Sequence, residues 1–234
     1  MKFSFVNFYK SIFPIRITGY VGEVYKDEVI AFAKSLRPQS MVLDARAGDM
    51  PWKGVFADCN YKSADICYEE NKLDVSNLDY VVDIEDMKEI PSDTFDAILC
   101  TFVLEHVKHP ALVIKEFHRI MKKGGRLLLV THPAFEDHQQ PNNFFYFTQY
   151  GIRLLFDEAG LKTKRINYIG GYFVFLSQWL RNFWFYFGDS RFIKVLDLLT
   201  YPMYFLISSI LLFLARFDKK KTLSVVVLGE AIKN

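Results

Sequence analysis

The 234-residue sequence has little of what usually settles a protein's class. Its formal net charge is only +2, which removes the bulk electrostatic argument for a nucleic-acid partner. It has three cysteines, Cys59, Cys67 and Cys100, in no CxxC pair and at no metal-ligand spacing. No metal site is therefore read from it, and reduced thiols in a cytosolic setting are expected, with Cys100 in a core strand. The opening MKFSFVNFYKSIFPIR is interrupted by Asn7, Lys10 and Pro14. Without a continuous apolar stretch or a small-residue cleavage site, it does not read as a signal peptide. There is no internal repeat and no low-complexity linker.

What is abundant is aromatic surface: 17% of residues, with 23 Phe and 13 Tyr, unevenly spread. The rest alternates strand-like and helix-like patterns. Residues 25–36 put Tyr25, Val29, Phe32, Ala33 and Leu36 on one helical face, and Pro38 stops the helix. Strand-like runs follow at MVLDA (41–45), YKSADI (61–66), LDYVVDI (78–84) and FDAILCTF (95–102). A helix begins at Pro110, with Gly124–Gly125 just past its end, before RLLLVTHP (126–133). Thr148 can cap a helix that ends at Gly160, and TKRINYI (163–169) and TLSVVVLGEAIK (222–233) read as two more strands.

This alternation predicts a doubly wound α/β fold, a mostly parallel seven-stranded sheet with helices on both faces. Ligands of such sheets bind at the carboxyl ends of the strands, where Asp44, Asp65, Asp83 and Thr101 fall. Asp44 ends the first strand, Gly48 lies in the turn after it, and Asp65 follows at the spacing of a ribose-binding acid. Each acid alone would serve equally well as a cap or turn residue. Three at successive strand ends favour a cofactor site.

The run VVDIEDMKEIPSDTFDAILCTFVLEHVKHPALVIKEFHRIMKKGGRLLLVTHP (81–133) resembles the second half of the class I S-adenosylmethionine-dependent methyltransferases, most closely the type 11 methyltransferase-domain family. The resemblance rests on Asp83–Ile84, Phe95–Asp96, the VLEHV of 103–107 and Gly124–Gly125, and covers roughly residues 40–165. It implies a Rossmann-like fold and S-adenosylmethionine as cofactor. Asp44 and the backbone around Ala45 and Gly48 would hold the methionine end, and Asp65 the ribose diol. Asp83 and the Ile84 N–H would take the adenine, while Thr101 and Phe102 would line the site near the methyl group. The family turn reads LDxGxG followed by a Pro-aromatic step. Here Arg46 replaces the first glycine, while Gly48, Pro51 and Trp52 remain. If that position needs φ > 0, an arginine costs about 1 kcal/mol. If the position serves only close approach, the side chain can point away or reach the cofactor carboxylate; the alternative is a decayed site that Arg46 occupies.

Transfer to an oxygen acceptor also needs a base. His106, His132 and His138 lie where one could act, with His138 the first catalytic candidate and His106 the second. Residues 138–148 resemble a family segment, H-x-x-P-x-D-x-x-R-x-T. His138, Pro141 and Thr148 match it, but Asn143 and Tyr146 replace its charged pair.

The expected organisation is a cofactor-binding core (1–169), a hydrophobic helical insertion (170–221) and the last core strand (222–234). LLTYPMYFLISSILLFLA (198–215) is near the ~20 residues of a membrane span, and Lys219–Lys221 follow it. Arg181 weakens any first crossing. The expectation is a hairpin lying peripherally or monotopically on the inner, cytoplasmic face of a membrane, serving a small-molecule or lipid-linked (glycan or quinone-like) acceptor. The same aromatics would also build a lid or a homodimer interface. Competing readings are an inactive methyltransferase-like binding module and a dinucleotide oxidoreductase, the latter disfavoured because LDARAGDM lacks the glycines that seat a pyrophosphate.

Overall fold

A computed structural model describes residues 17–66, 75–181, 183–188 and 190–234. The readings placed on the N-terminal sixteen residues and on Cys67 lie outside these. The sheet has seven strands: β1 (Met41–Ala45), β2 (Asn60–Asp65), β3 (Tyr80–Val81), β4 (Phe95–Thr101), β5 (Met121–Thr131), β6 (Leu161–Ile169) and β7 (Val226–Lys233). Their order is β3-β2-β1-β4-β5-β7-β6. The first five are parallel, and β7 runs antiparallel to both β5 and β6. The doubly wound seven-stranded fold expected from the sequence is thus the one found.

The helices are α1 (Ile17–Lys34), α2 (Pro110–Ile120), α3 (Gln149–Glu158), α4 (Tyr172–Arg181) and α5 (Arg191–Leu214). Proline opens α2, where its missing N–H has no intrahelical partner to lose. The Thr148 hydroxyl accepts from the Gly151 N–H at 3.1 Å and caps α3 as expected. One side of the sheet packs Phe95, Phe117 and Phe156 under α2 and α3, all fully buried. The other packs Val42, Leu99 and Leu128 under α1.

Some boundaries differ from the sequence reading. The third strand shrinks from 78–84 to two residues, because it is the sheet edge and Val81 is half exposed. The fifth starts at Met121 rather than 126. Its register against β4 jumps from Phe95–Met121 to Ala97–Arg126, so the Gly124–Gly125 pair lies in an irregularity of the strand rather than beyond the helix. Gly229 in β7 is fixed by close approach: a Cβ there would lie 2.9 Å from Ile152 and 3.0 Å from Phe156 of α3. Beside it, buried Glu230 joins three elements. It pairs with Arg126 at 2.6 Å, Lys164 at 2.9 Å and Arg165 at 2.9 Å. Arg165 in turn reaches Glu28 of α1 at 2.8 Å. These cations more than offset burial and hold the Glu230 carboxyl down at about 2.

The stretch between β6 and β7 is helical. Gly170 and Gly171 turn the chain out of β6. Asp218 then clasps its two ends, accepting from the Tyr172 N–H at 2.7 Å and the Lys221 N–H at 3.1 Å. The Ser224 hydroxyl donates to the Ile169 carbonyl across the same junction.

Candidate active site

The cleft opens where the carboxyl ends of β1, β2 and β4 meet, as expected for an open α/β sheet. A cavity of about 280 Å³ is lined by Arg46, Gly48, Asp65, Thr101, Phe102, Val103 and Gln139. A smaller adjoining one is lined by Arg46, Asp65, Ile66, Val82, Asp83, Ile84, Glu85, His106 and Val107. Of the expected cofactor residues, the structure therefore brings together Gly48, Asp65, Asp83, Ile84, Thr101 and Phe102.

Asp65 is held on both carboxylate oxygens. Its two oxygens accept from the Gly48 N–H at 2.9 Å and the Ile66 N–H at 2.7 Å, which fixes the carboxylate at the mouth of β2. Lone pairs remain for a diol. Asp83 is exposed at the edge, accepting from the Glu85 N–H at 2.9 Å, with Ile84 buried beside it. Thr101 accepts from the Trp52 indole at 3.4 Å, which gives the Pro-aromatic step a structural partner. Phe102 has φ of +55° and lies between Tyr25, edge-on at 5.1 Å, and the His132 ring, stacked at 4.5 Å.

Asp44 and Ala45 line neither cavity. Ala45 is 0% exposed and Asp44 1%. The Asp44 carboxylate is turned to the Tyr61 hydroxyl, which donates at 2.6 Å. Burial raises its pKa to about 6 despite that bond. The methionine-end role expected of its side chain has no access route in this conformation. The alternation of β1 explains this: it carries Asp44 to the face of Val42, beneath the turn rather than within it.

Arg46 has φ of +65° and Gly48 φ of +51°, so the replaced glycine position does require the left-handed region. The Arg46 side chain neither points away nor stays clear. Its Nε is 4.0 Å from Asp65 Oδ1, and its Nη2 donates to Gln139 Oε1 at 3.3 Å. It thus stretches across the cleft between the ribose-type acid and the loop after β5.

That loop brings in the histidines. His106, in the VLEHV segment after β4, is buried, its Nδ1 2.8 Å from the Asn142 carbonyl. His132 follows β5, with Nδ1 2.8 Å from the Val225 carbonyl. His138 holds the Glu136 carbonyl at 2.9 Å and packs edge-on to His106 at 4.8 Å. Burial depresses both His106 and His132 to about 4, so both are neutral at pH 7. Neutral imidazoles can accept protons. Asn143 and Tyr146, which replace the family's charged pair, remain a pair. The Asn143 amide donates to the Tyr146 hydroxyl at 2.7 Å, and both reach Asp137 at 3.3 Å.

The sequence reading singled out neither Gln139 nor Glu105. Glu105 is 0% exposed, accepts from the Thr131 hydroxyl at 2.6 Å, and is kept more protonated than usual by burial. The VLEHV resemblance covered Glu105, but without a carboxylate role. The parallel pairing of β4 and β5 brings it beside His132.

A family model described as a methyltransferase domain matches residues 17–165, well over half of the chain. The chain belongs to the methyltransferase-domain family. The class I resemblance is borne out, and S-adenosylmethionine is the cofactor that this membership indicates. Among curated relatives, a ubiquinone biosynthesis O-methyltransferase of Xanthomonas oryzae pv. oryzae is 40% identical over 55 residues, 23% of each chain. A ubiquinone/menaquinone biosynthesis C-methyltransferase of Haemophilus ducreyi is 30% identical over 97 residues, 40% of this chain and 38% of its own. The matches thus span only about a quarter to two-fifths of those relatives. A solved structure of a methyltransferase-like protein from Bacillus halodurans C-125 superimposes over 88% of this chain and 97% of its own, with TM-score 0.55 and 18% identity. At that identity it shows the fold. The dinucleotide-oxidoreductase alternative has no support in these matches.

Proposed function

We propose that the methyltransferase domain transfers a methyl group from S-adenosylmethionine to an oxygen of a small-molecule or lipid-linked acceptor, working at the cytoplasmic face of a membrane. The observation that carries the cofactor half is Asp65, held by two backbone N–H groups at the mouth of a cleft that also presents Asp83 and Ile84. Displacement at a sulfonium methyl is largely a matter of positioning. A neutral histidine at the far end can take the acceptor's proton as the new bond forms. His138 and His106 are the two candidates, packed edge-on to each other, with His106 lining the smaller cavity. The quinone-pathway names of the partial relatives fit a small apolar acceptor.

The membrane half rests on the insertion. Helix α5 is about 36 Å long at 1.5 Å per residue, against about 30 Å for a bilayer core. Its outward stripe of Phe192, Leu199, Met203, Leu206, Ile210 and Phe213 is at least half exposed, and Lys219–Lys221 follow it. Helix α4, at about 15 Å, is too short to cross beside it. Since β6 and β7 are neighbours in one sheet, a single crossing would separate them. A helix lying in the interface satisfies both constraints. A lid or a homodimer contact is the competing use of this surface.

Arg46 favours a second reading, an inactive binding module whose cofactor cleft is closed by that side chain. Calorimetric titration with S-adenosylmethionine and S-adenosylhomocysteine separates the two. Micromolar binding supports the enzyme, and absence of binding by folded protein supports the module. Flotation with anionic liposomes tests the membrane half. Protein that stays at the bottom of the gradient would remove it.

A further inference from the structure

Beyond Phe102, at the carboxyl ends of β4 and β5, one ligating atom each from Glu105, His132 and His138 lies within 4.8 Å of the others. The His106 ring is 4.8 Å from that of His138, and the His132 ring is 5.8 Å from it. The hydrogen bonds of these rings share one pattern. Each Nδ1 faces a backbone carbonyl, of Asn142, Val225 and Glu136 respectively. A carbonyl only accepts, so Nδ1 carries the proton and, in the neutral ring, Nε2 is left with its lone pair. Metal-ligating histidines are oriented in this way, the second nitrogen held by a carbonyl or carboxylate.

The cluster is also short of donors. Among the described residues, Glu105 Oε1 and His106 Nε2 are buried with no hydrogen-bond partner. Leaving such a group unsatisfied costs about 1–3 kcal/mol each. Two imidazole lone pairs and a carboxylate oxygen gathered in one place, with His106 beside His138, are a set of acceptors, and a cation satisfies acceptors. Two imidazoles with one carboxylate suit a borderline ion such as Zn(II), Co(II) or Fe(II) better than Mg(II) or Ca(II), which prefer all-oxygen shells.

We propose that Glu105, His132 and His138 bind one divalent transition-metal ion, with His106 beside them as a fourth ligand. Bonds of about 2.0–2.2 Å require the ligating atoms to draw together from their present spread. His138, in the loop between β5 and α3, is the ligand placed to make that approach. None of its ligands is a proposed cofactor contact, but His138 and His106 are also the candidate bases. A metal-bound Nε2 cannot take a proton, so a filled site would leave the base to a metal-bound water or to another group.

The test uses the full chain, stripped with chelator and titrated with Co(II) chloride, reading the visible d–d absorption and the metal-to-protein ratio. One Co(II) per chain, displaced by Zn(II), is expected, with a Tm that rises as Zn(II) is added. His138→Ala should weaken Co(II) binding at least tenfold and His132→Ala should do so too, while His118→Ala on α2 leaves it unchanged. His138 lies outside the sheet, so its variant keeps the test informative even if Glu105→Gln fails to fold. No Co(II) uptake at millimolar metal, or uptake that His138→Ala and His132→Ala leave unaltered, would overturn the proposal. A parallel titration with S-adenosylhomocysteine reports separately on the cofactor cleft.

Discussion

The sheet and the insertion solve the same problem in opposite directions. In the sheet, Leu43, Phe95, Ile98 and Leu129 are fully buried and the one deep carboxylate of β7, Glu230, is matched by three cations. In α5 the large apolar side chains face outward, and Tyr204 and Ser208 are its buried residues. The central strands are buried on both faces, whereas α5 buries only Tyr204 and Ser208. What differs is how each face is covered: the sheet's is covered by its own helices, while the outward stripe of α5 is left exposed among the described residues. Stability should therefore be concentrated in one region and location in the other.

The sharpest way to break that contrast is to delete a core ring. Phe117→Ala should cost about 3–5 kcal/mol in chemical denaturation, because it leaves a cavity between α2 and the sheet. Next comes the site. Asp65→Ala removes the acceptor of two backbone N–H groups and the diol ligand, and should weaken S-adenosylhomocysteine binding about 100-fold by calorimetry. Glu230→Gln should cost about 2 kcal/mol at pH 7, since three cations lose their common charge. The sign follows from a carboxyl held at about 2 in the fold against 4.5 for a free one. Its stabilisation is complete above pH 4.5 and lost as pH falls through 2, so wild type and variant should converge in acid melts. Arg46→Gly relieves a left-handed arginine and clears the cleft. It should tighten S-adenosylhomocysteine binding about tenfold and stabilise by about 1 kcal/mol. The smallest effect belongs to α5. Leu199→Ala should change stability in denaturant by less than about 0.5 kcal/mol, whatever it does to liposome flotation. A large loss there would mean that this face is packed against something in solution.

Period and punctuation explain how much of the fold could be read in advance. MVLDA maps onto β1 residue for residue, Pro110 and Thr148 start helices as their chemistry dictates, and Asp65 and Asp83 lie at the cleft because strand ends in a doubly wound sheet share one rim. The misses share a cause as well. The resemblance gave Asp44 a place at the methionine end, but the direction of its carboxylate is set by pleat alternation and the Tyr61 hydroxyl, which no motif prints. The direction of the Arg46 side chain depends on Gln139, 93 residues away. Sequence spacing among cysteines excluded one kind of metal site, but could not reveal a cluster that exists only once β4 and β5 lie side by side. Local rules carry local information, and these sites are made by long-range pairings.

The clasp at Asp218, together with the Ser224 bond to Ile169, closes the insertion at its neck. Topologically the fifty-odd residues beyond that neck are a lengthened hairpin loop between two adjacent antiparallel strands, and lengthening a loop raises its closure cost only logarithmically. Such a neck acts like a socket. The insertion can lengthen or shorten there while the strands below keep their register, so the helical stretch and the cofactor cleft are mechanically separable.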